Sequence, residues 1–450
     1  MPNTGGLMEQ FDVVVVGASV SGAPTAMHLA RQGHKVLLID RKQFPRDTLS
    51  THFIWPRGVS YLKRWGIAEP ILSRTPKFAH MEVTIEGVRM SGSIPLADIE
   101  QRFRKVHGDA NGATNVYCGP RRLLLDHELI RAAAAAGADV RERTTFTRPI
   151  VENGEVTGIH AVTEQGTPIQ ASARLVIGAD GRFSQFAKAV GAETTDYRSN
   201  STFAYFGYFS GIDKDELTIC NRGRLGTAIF PTSDGTHMVL TYGPSSWWDE
   251  FRRDPEENFL KTYEFCDPDT AEKVRSGTRE EPFKACGTMP AFQRQNVGCG
   301  WALIGDAGSF KDQVTAMGIT HAFRDAELIS WHVDRGLRGE VPLDQALAAY
   351  RAARHDDYAS YFNFVCQTAE LKVRTVRDLE ALREISRDPT KTDRFLAQFG
   401  DTYPLPEAAS SVVSNTAAAS REVDMDQPVV PGYQIAPYAA AHSSRIAPLA

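Results

Sequence analysis

Residues 11–22 read Phe-Asp-Val-Val-Val-Val-Gly-Ala-Ser-Val-Ser-Gly. A continuous apolar, β-branched run that ends at glycine suits a parallel strand buried on both faces. The small residues that follow open a helix over 18–32, with Ala26, Leu29 and Ala30 on one face and Gly33 as its stop. Residues 35–40, Lys-Val-Leu-Leu-Ile-Asp, make a second buried strand. Together these segments form one βαβ unit.

Gly17-Ala18-Ser19-Val20-Ser21-Gly22 stands where a G-x-G-x-x-G dinucleotide fingerprint belongs, with Ser19 at the middle position. Gly17 allows the tight turn, the small middle residue lets a pyrophosphate approach the backbone, and Gly22 lets the helix pack on the strand. Asp40 closes the second strand eighteen residues after Gly22, where an acidic side chain accepts from ribose hydroxyls, with Arg41 beside it. A G-x-S-x-G hydrolase elbow is excluded because position 21 is Ser21.

The rest of the chain sets the frame. It has 450 residues, 42% hydrophobic and 23% charged, which predicts two or three domains of a soluble globular protein, and the βαβ start makes the fold class α/β. Lys and Arg number 50 and Asp and Glu 55, a net charge of −5 that argues against nucleic-acid partners. No run approaches the ~18 apolar residues of a membrane span, and Met1–Gln10 has no secretory pattern, so a cytoplasmic location is expected. The six cysteines include no C-x-x-C pair and read as reduced thiols. No H-E-x-x-H or paired Cys/His spacing calls for a metal.

Further elements follow from pattern. The spacing predicts a short helix over 61–66, strands and loops over 80–105, and a helix over 121–137. It predicts a hairpin over 151–173 turning at Asn153-Gly154 and antiparallel strands over 201–212 and 228–243. Buried strands are expected at 175–178 and 301–305, a helix at 319–334, mostly helix over 341–400, and a loosely packed tail from 405.

Three later segments point to the cofactor. Ile177-Gly178-Ala179-Asp180-Gly181-Arg182 and Leu303-Ile304-Gly305-Asp306-Ala307-Gly308 each follow a strand, and Gly318 opens a helix. Arg122-Leu-Leu-Leu-Asp126 heads another helix. In this order the set resembles the group A flavoprotein monooxygenases and the related geranylgeranyl-reductase-like flavoproteins, over roughly residues 11–345. Phe44-Pro45-Arg46 resembles the reductase branch in particular. The flavin-halogenase motif W-x-W-x-I-P is missing, since Trp247 and Trp248 are adjacent.

The resemblance implies a p-hydroxybenzoate-hydroxylase-like fold: a Rossmann-like FAD-binding domain with an inserted antiparallel β-sheet substrate domain and a helical C-terminal segment. The FAD-binding domain would combine residues 1–78, 108–190 and 283–345. The substrate domain would combine 79–107 and 191–282, with C-terminal helices over 346–404 and the tail over 405–450. Carried over by position, Gly17, Ser19 and Gly22 lie against the FAD pyrophosphate and Asp40 takes the adenosine ribose. Arg122 contacts FAD, Asp306 holds the ribityl chain, and Asp180 belongs to a motif linked to FAD and NAD(P)H. The helix that begins at Gly318 offers free N–H groups and its positive dipole end to a reduced flavin.

Residues 202–209, Thr-Phe-Ala-Tyr-Phe-Gly-Tyr-Phe, alternate as a strand does. One face carries Phe203, Tyr205, Gly207 and Phe209, and is the candidate lining of an aromatic substrate pocket, with sheet-core packing as the alternative. Phe230, Met238 and Trp55 are further pocket candidates. His52 is a candidate acid or base, with an unperturbed pKa near 6.5, or else a structural histidine. Lys311-Asp312 either orients substrate or flavin oxygens or forms a solvated pair.

The resulting expectation is an FAD-dependent monooxygenase, a hydroxylase or epoxidase of an apolar or aromatic small molecule. It would use NAD(P)H and O2 through a flavin C4a-hydroperoxide, as a monomer or homodimer. The alternatives are a geranylgeranyl-reductase-like reductase of C=C bonds and a non-catalytic binder on the same fold.

Overall fold

The chain builds two eight-stranded sheets joined by crossing segments, in a computed structural model that describes residues 8–199 and 202–402. The expected tail over 405–450 lies outside the described residues. No helix among them is long and apolar enough to cross a membrane.

Glu9–Val16 is the centre of the first sheet. Five parallel strands run in the order Trp301–Leu303, Pro168–Gly178, Glu9–Val16, Val36–Ile39, Asp139–Arg141. Burial on both faces accounts for the unbroken apolar runs. Val13, Val15 and Leu38 pack into one core, while Val14, Val16 and Leu37 pack into another on the opposite side. The helices Gly22–Arg31, Arg122–Ala135 and Gly318–Leu337 cover the first of these faces. Thr144–Glu152 and Glu155–Thr163 form a hairpin with the expected turn, φ being positive at both Asn153 and Gly154, but it begins at 144 rather than 151, and Glu155–Thr163 pairs in turn with Pro168–Gly178.

The second sheet draws on distant parts of the chain. Its order is Thr278–Arg279, Thr202–Ser210, His237–Pro244, Leu225–Pro231, Leu217–Arg222, Met81–Ile85, Val88–Gly92, with Lys284–Cys286 also on Thr202–Ser210. Its one parallel pairing, Met81–Ile85 with Leu217–Arg222, stitches the early segment to the late one. Helices Pro255–Cys266 and Pro268–Ser276 cover one face. Beyond Gly318–Leu337 come Leu343–Ala369, Val376–Ser386 and Pro389–Phe399.

One expectation changes. Leu96–His107 is a helix rather than strand and loop. Only Ile99 and Phe103 of it are buried, four residues apart, and that single pair is too short a stripe to stand out in the sequence. Thr194–Arg198 pairs with Ala291–Arg294 in a small separate sheet, while Lys284–Cys286 belongs to the second large sheet. Pro290, which has no ladder N–H to give, stands between those two pairings.

Candidate active site

The turn after the first strand sets the site. Gly17 has φ +107, and a Cβ there would lie 2.5 Å from the carbonyl oxygen of Ala179, so no other residue fits without moving the backbone. A Cβ on Gly22 would lie 1.8 Å from the Gly17 carbonyl oxygen, which keeps the helix close to the strand end. Asp40 locks this turn from the next strand: one carboxylate oxygen accepts the N–H of Ala18 at 3.0 Å and the other that of Lys42 at 2.8 Å. Ser19 donates its hydroxyl to Asp126 at 3.2 Å and accepts from Arg122, which forks onto Asp126 one helical turn on. Burial raises the pKa of Asp126 against the pull of Arg122, and the arginine both pairs the carboxylate and is held by it at the groove wall.

These residues open into one continuous groove of about 610 Å³ across the ends of the parallel strands. Gly17, Ser19, Asp40, Arg41, Arg122, Asp180, Asp306 and Gly318 all line it. Gly22 sits behind it, where close packing needs it. The Asp180 carboxylate is turned away, accepting the hydroxyl of Ser184 and the N–H groups of Gln185 at 2.8 Å and Phe186 at 3.1 Å. Gly181 and Arg182 therefore present this motif to the groove.

Asp306 lies at the far end. Its carboxylate has no hydrogen-bond partner among the described residues, and burial pushes its pKa up against the pull of Lys311. A half-buried carboxylate with free lone pairs is fitted to accept sugar-chain hydroxyls. A Cβ on Gly318 would meet nothing within 4 Å, so the helix start leaves open space on the groove. Together with the glycine cradle at Gly17, these features fit an extended dinucleotide such as FAD.

Asp306 is itself braced. Asp325 accepts the N–H of Gly305 at 3.1 Å and pairs with Arg324 and Arg354. Burial would raise this carboxyl, but Arg354 and Arg324 overcome it and hold its pKa down to about 2. Arg324 goes on to Asp357, which also takes Arg57 and Arg102, and these last two reach Asp401. The network ties four helices beneath the groove. Sequence reasoning missed it because its members are spread from 57 to 401 with no local spacing.

A second cavity of about 550 Å³ adjoins the groove, and Thr51, Phe53, Gln313, Thr315 and Ala316 line both. It lies between the second sheet and the C-terminal helices, against Trp55, Met81, Phe230, Leu240, Phe364 and Phe399. Trp55 donates its indole N–H to the Thr315 carbonyl at 2.8 Å and pins the loop dividing the two spaces. Glu86, Lys372 and Arg374 are among its polar lining residues.

This arrangement corrects part of the pocket assignment. Phe203, Tyr205 and Phe209 pack with Phe251, Phe259 and Tyr263 under the covering helices, and the Gly207 position faces Phe283. Phe203, Tyr205, Gly207 and Phe209 line neither cavity. The opposite face supplies Ala204 and Phe206 to the groove. Trp55 and Phe230 do line the chamber, whereas Met238 is a core residue. Lys311 and Asp312 are not solvated: both are buried and both line the groove. Burial pushes Lys311 down to about 7 and Asp312 up to about 6. His52 is buried on the groove, and His321 is buried against Tyr358, Tyr361 and Asp401.

Residues 10–364 match the family described as FAD binding domain. The chain belongs to that family. Relatives similar to this chain include the digeranylgeranylglycerophospholipid reductase of Methanocella arvoryzae, 26% identical over 362 residues, 77% of this chain and 83% of the relative. Squalene epoxidase erg1 of Schizosaccharomyces pombe is 25% identical over 336 residues, 72% of this chain and 69% of the relative. Among solved structures, the flavin-dependent brominase Bmp2 superposes with a TM-score of 0.71 at 17% identity, covering 87% of this chain and 94% of that one, a likeness of fold alone. The family match establishes FAD as the cofactor and the protein as an FAD-dependent oxidoreductase of the group A flavoprotein type.

Proposed function

We propose that the protein is a monooxygenase that places one atom of O2 into an apolar small molecule held in the chamber, with NAD(P)H as reductant. The balance is R–H + O2 + NAD(P)H + H⁺ → R–OH + H2O + NAD(P)⁺, and for an alkene the same oxygen closes an epoxide. Bound FAD supplies two-electron chemistry between NAD(P)H and O2. The protein's part is to bind, orient and exclude water. Gly17, Ser19, Asp40 and Asp306 anchor the cofactor along the groove. Phe53, Trp55, Phe230 and Phe399 give the substrate an apolar surface that keeps water from the reacting end of the chamber.

The observation that carries this reading is the contiguity of the two cavities at Thr51, Phe53, Thr315 and Ala316, beside the Gly318 helix start. An apolar substrate seated in the chamber meets the groove where the ring is expected. The similarity to a squalene epoxidase supports the same reading. The test is an oxygen-electrode assay on the FAD-loaded protein with NAD(P)H and a panel of apolar alkenes and arenes. A matching compound raises O2 uptake and NAD(P)H oxidation together, one to one, with little hydrogen peroxide. Equal rates with and without every compound would count against it.

The second reading is a reductase that adds a hydride and a proton across a C=C bond. Each bond saturated consumes one NAD(P)H and one proton and releases one NAD(P)⁺, with no O2 taken up. The similarity to a digeranylgeranylglycerophospholipid reductase and the mainly apolar chamber favour it. Turnover under nitrogen distinguishes the two.

A further inference from the structure

His52 is a buried imidazole without a partner. It is 1% exposed, and neither Nδ1 nor Nε2 has a hydrogen-bond partner among the described residues. Buried polar groups are nearly always satisfied, so an orphan imidazole in a residue that lines the groove is left to bond a group bound there. The backbone adds a second observation. His52 has φ +41, in the left-handed region that residues with a Cβ rarely adopt. Ser50 Oγ accepts the His52 N–H at 3.0 Å, and two residues on Ile54 bridges to Cys118, so the strained turn is fixed from both sides.

The ring is clamped as well. It stacks on Tyr208 at 5.7 Å between centroids, inclined by 12°, and meets the edge of Phe230 at 5.8 Å. Arg121 and Lys284 lie over the Tyr208 ring, and both are paired with Asp47 and Glu281. The charged groups that act on the imidazole are Arg121, Asp47, Arg122 and Lys284. Burial first, and then Arg121, press its pKa down to about 3. The ring therefore stays neutral in ordinary buffers, with one N–H to donate and one lone pair to accept. It borders the groove and not the chamber, whereas its neighbours Thr51 and Phe53 border both. That places it on the cofactor side of the junction.

We propose that the neutral His52 imidazole hydrogen-bonds to the flavin ring of bound FAD, and so serves as a cofactor-binding residue that also sets the ring's reduction potential. The inference requires FAD in the groove and is independent of which reaction follows. Donation from a fixed N–H favours the more electron-rich reduced ring, so losing it makes the flavin harder to reduce.

His52→Phe keeps an aromatic ring against Tyr208 and removes both nitrogens. His52→Asn restores a donor and an acceptor and tolerates the left-handed backbone. Each variant is loaded with FAD and measured for its FAD dissociation constant, visible spectrum and midpoint potential. The Phe variant is expected to bind FAD about tenfold more weakly and to have a more negative potential, with the Asn variant recovering toward wild type. An unchanged Phe variant overturns the proposal. So does an Asn variant that loses as much as the Phe variant, because the effect is then one of packing. Should the Phe variant not fold, ¹⁵N-histidine spectra of wild type, assigned through His52→Asn, decide the matter: the His52 ring nitrogens shift when FAD binds, and unmoved signals overturn it.

Discussion

The Asp325 carboxylate accepts the amide N–H of Gly305 at 3.1 Å, and so hangs the turn that presents Asp306 from the helix behind the groove. Arg324 and Arg354 converge on the same carboxylate. Asp325→Ala leaves two buried guanidinium groups short of a counter-charge. It should destabilise the protein by about 3–5 kcal/mol and loosen FAD without touching it. Urea unfolding of the FAD-free variant reads the first effect and FAD titration the second. A variant as stable as wild type contradicts the bracing role.

Asp306→Ala removes the free carboxylate from the groove while leaving the Asp325 brace intact. Hydrogen bonds to a charged group are worth about 1.5–3 kcal/mol, so FAD affinity should fall by roughly ten- to a hundredfold. Fluorescence titration of FAD into the FAD-free variant measures this. A variant that retains stoichiometric FAD through dilution and gel filtration removes the role given to Asp306.

The two faces of Thr202–Ser210 should respond differently. Phe203→Ala opens a hole beneath the covering helices and should lower stability by about 3–5 kcal/mol with the flavin spectrum unchanged. Phe206→Ala opens the groove wall and should shift the flavin absorption bands. Identical spectra for the two variants contradict the assignment of faces.

That strand also shows where the sequence stops being informative. Alternation sorts Phe203, Tyr205, Gly207 and Phe209 from Ala204, Phe206 and Tyr208, but both sets are apolar and both faces are buried. Which set meets the cofactor depends on where the helices over 248–276 fold, and nothing in residues 202–209 encodes that. The βαβ start was legible because its glycines and Asp40 act within thirty residues of one another. The chamber was not, because Met81, Phe230, Phe364 and Phe399 meet only through the tertiary fold. Lys311-Asp312 read as a possible surface pair because charge normally marks solvent, and here the fold buries both.

Burial lowers the Lys311 pKa from 10.5 to about 7. Between those values the unfolded chain holds a proton that the folded chain has released, so stability rises with pH across that window. Below pH 7 both states are protonated and the cost of the buried charge is present in full. In FAD-free protein, Lys311→Met should therefore gain up to about 5 kcal/mol over wild type at pH 6, and the gain should shrink toward pH 10. Thermal melts across that range check the sign. A gain that grows with pH contradicts it.

The central claim is that an apolar molecule in the chamber receives an oxygen atom at the groove junction. Turnover of an accepted substrate with NAD(P)H under ¹⁸O2, followed by mass spectrometry of the product, tests this directly. The account predicts one ¹⁸O atom in the organic product and the other in water. A product that gains two hydrogens and no ¹⁸O contradicts it and establishes the reductase instead.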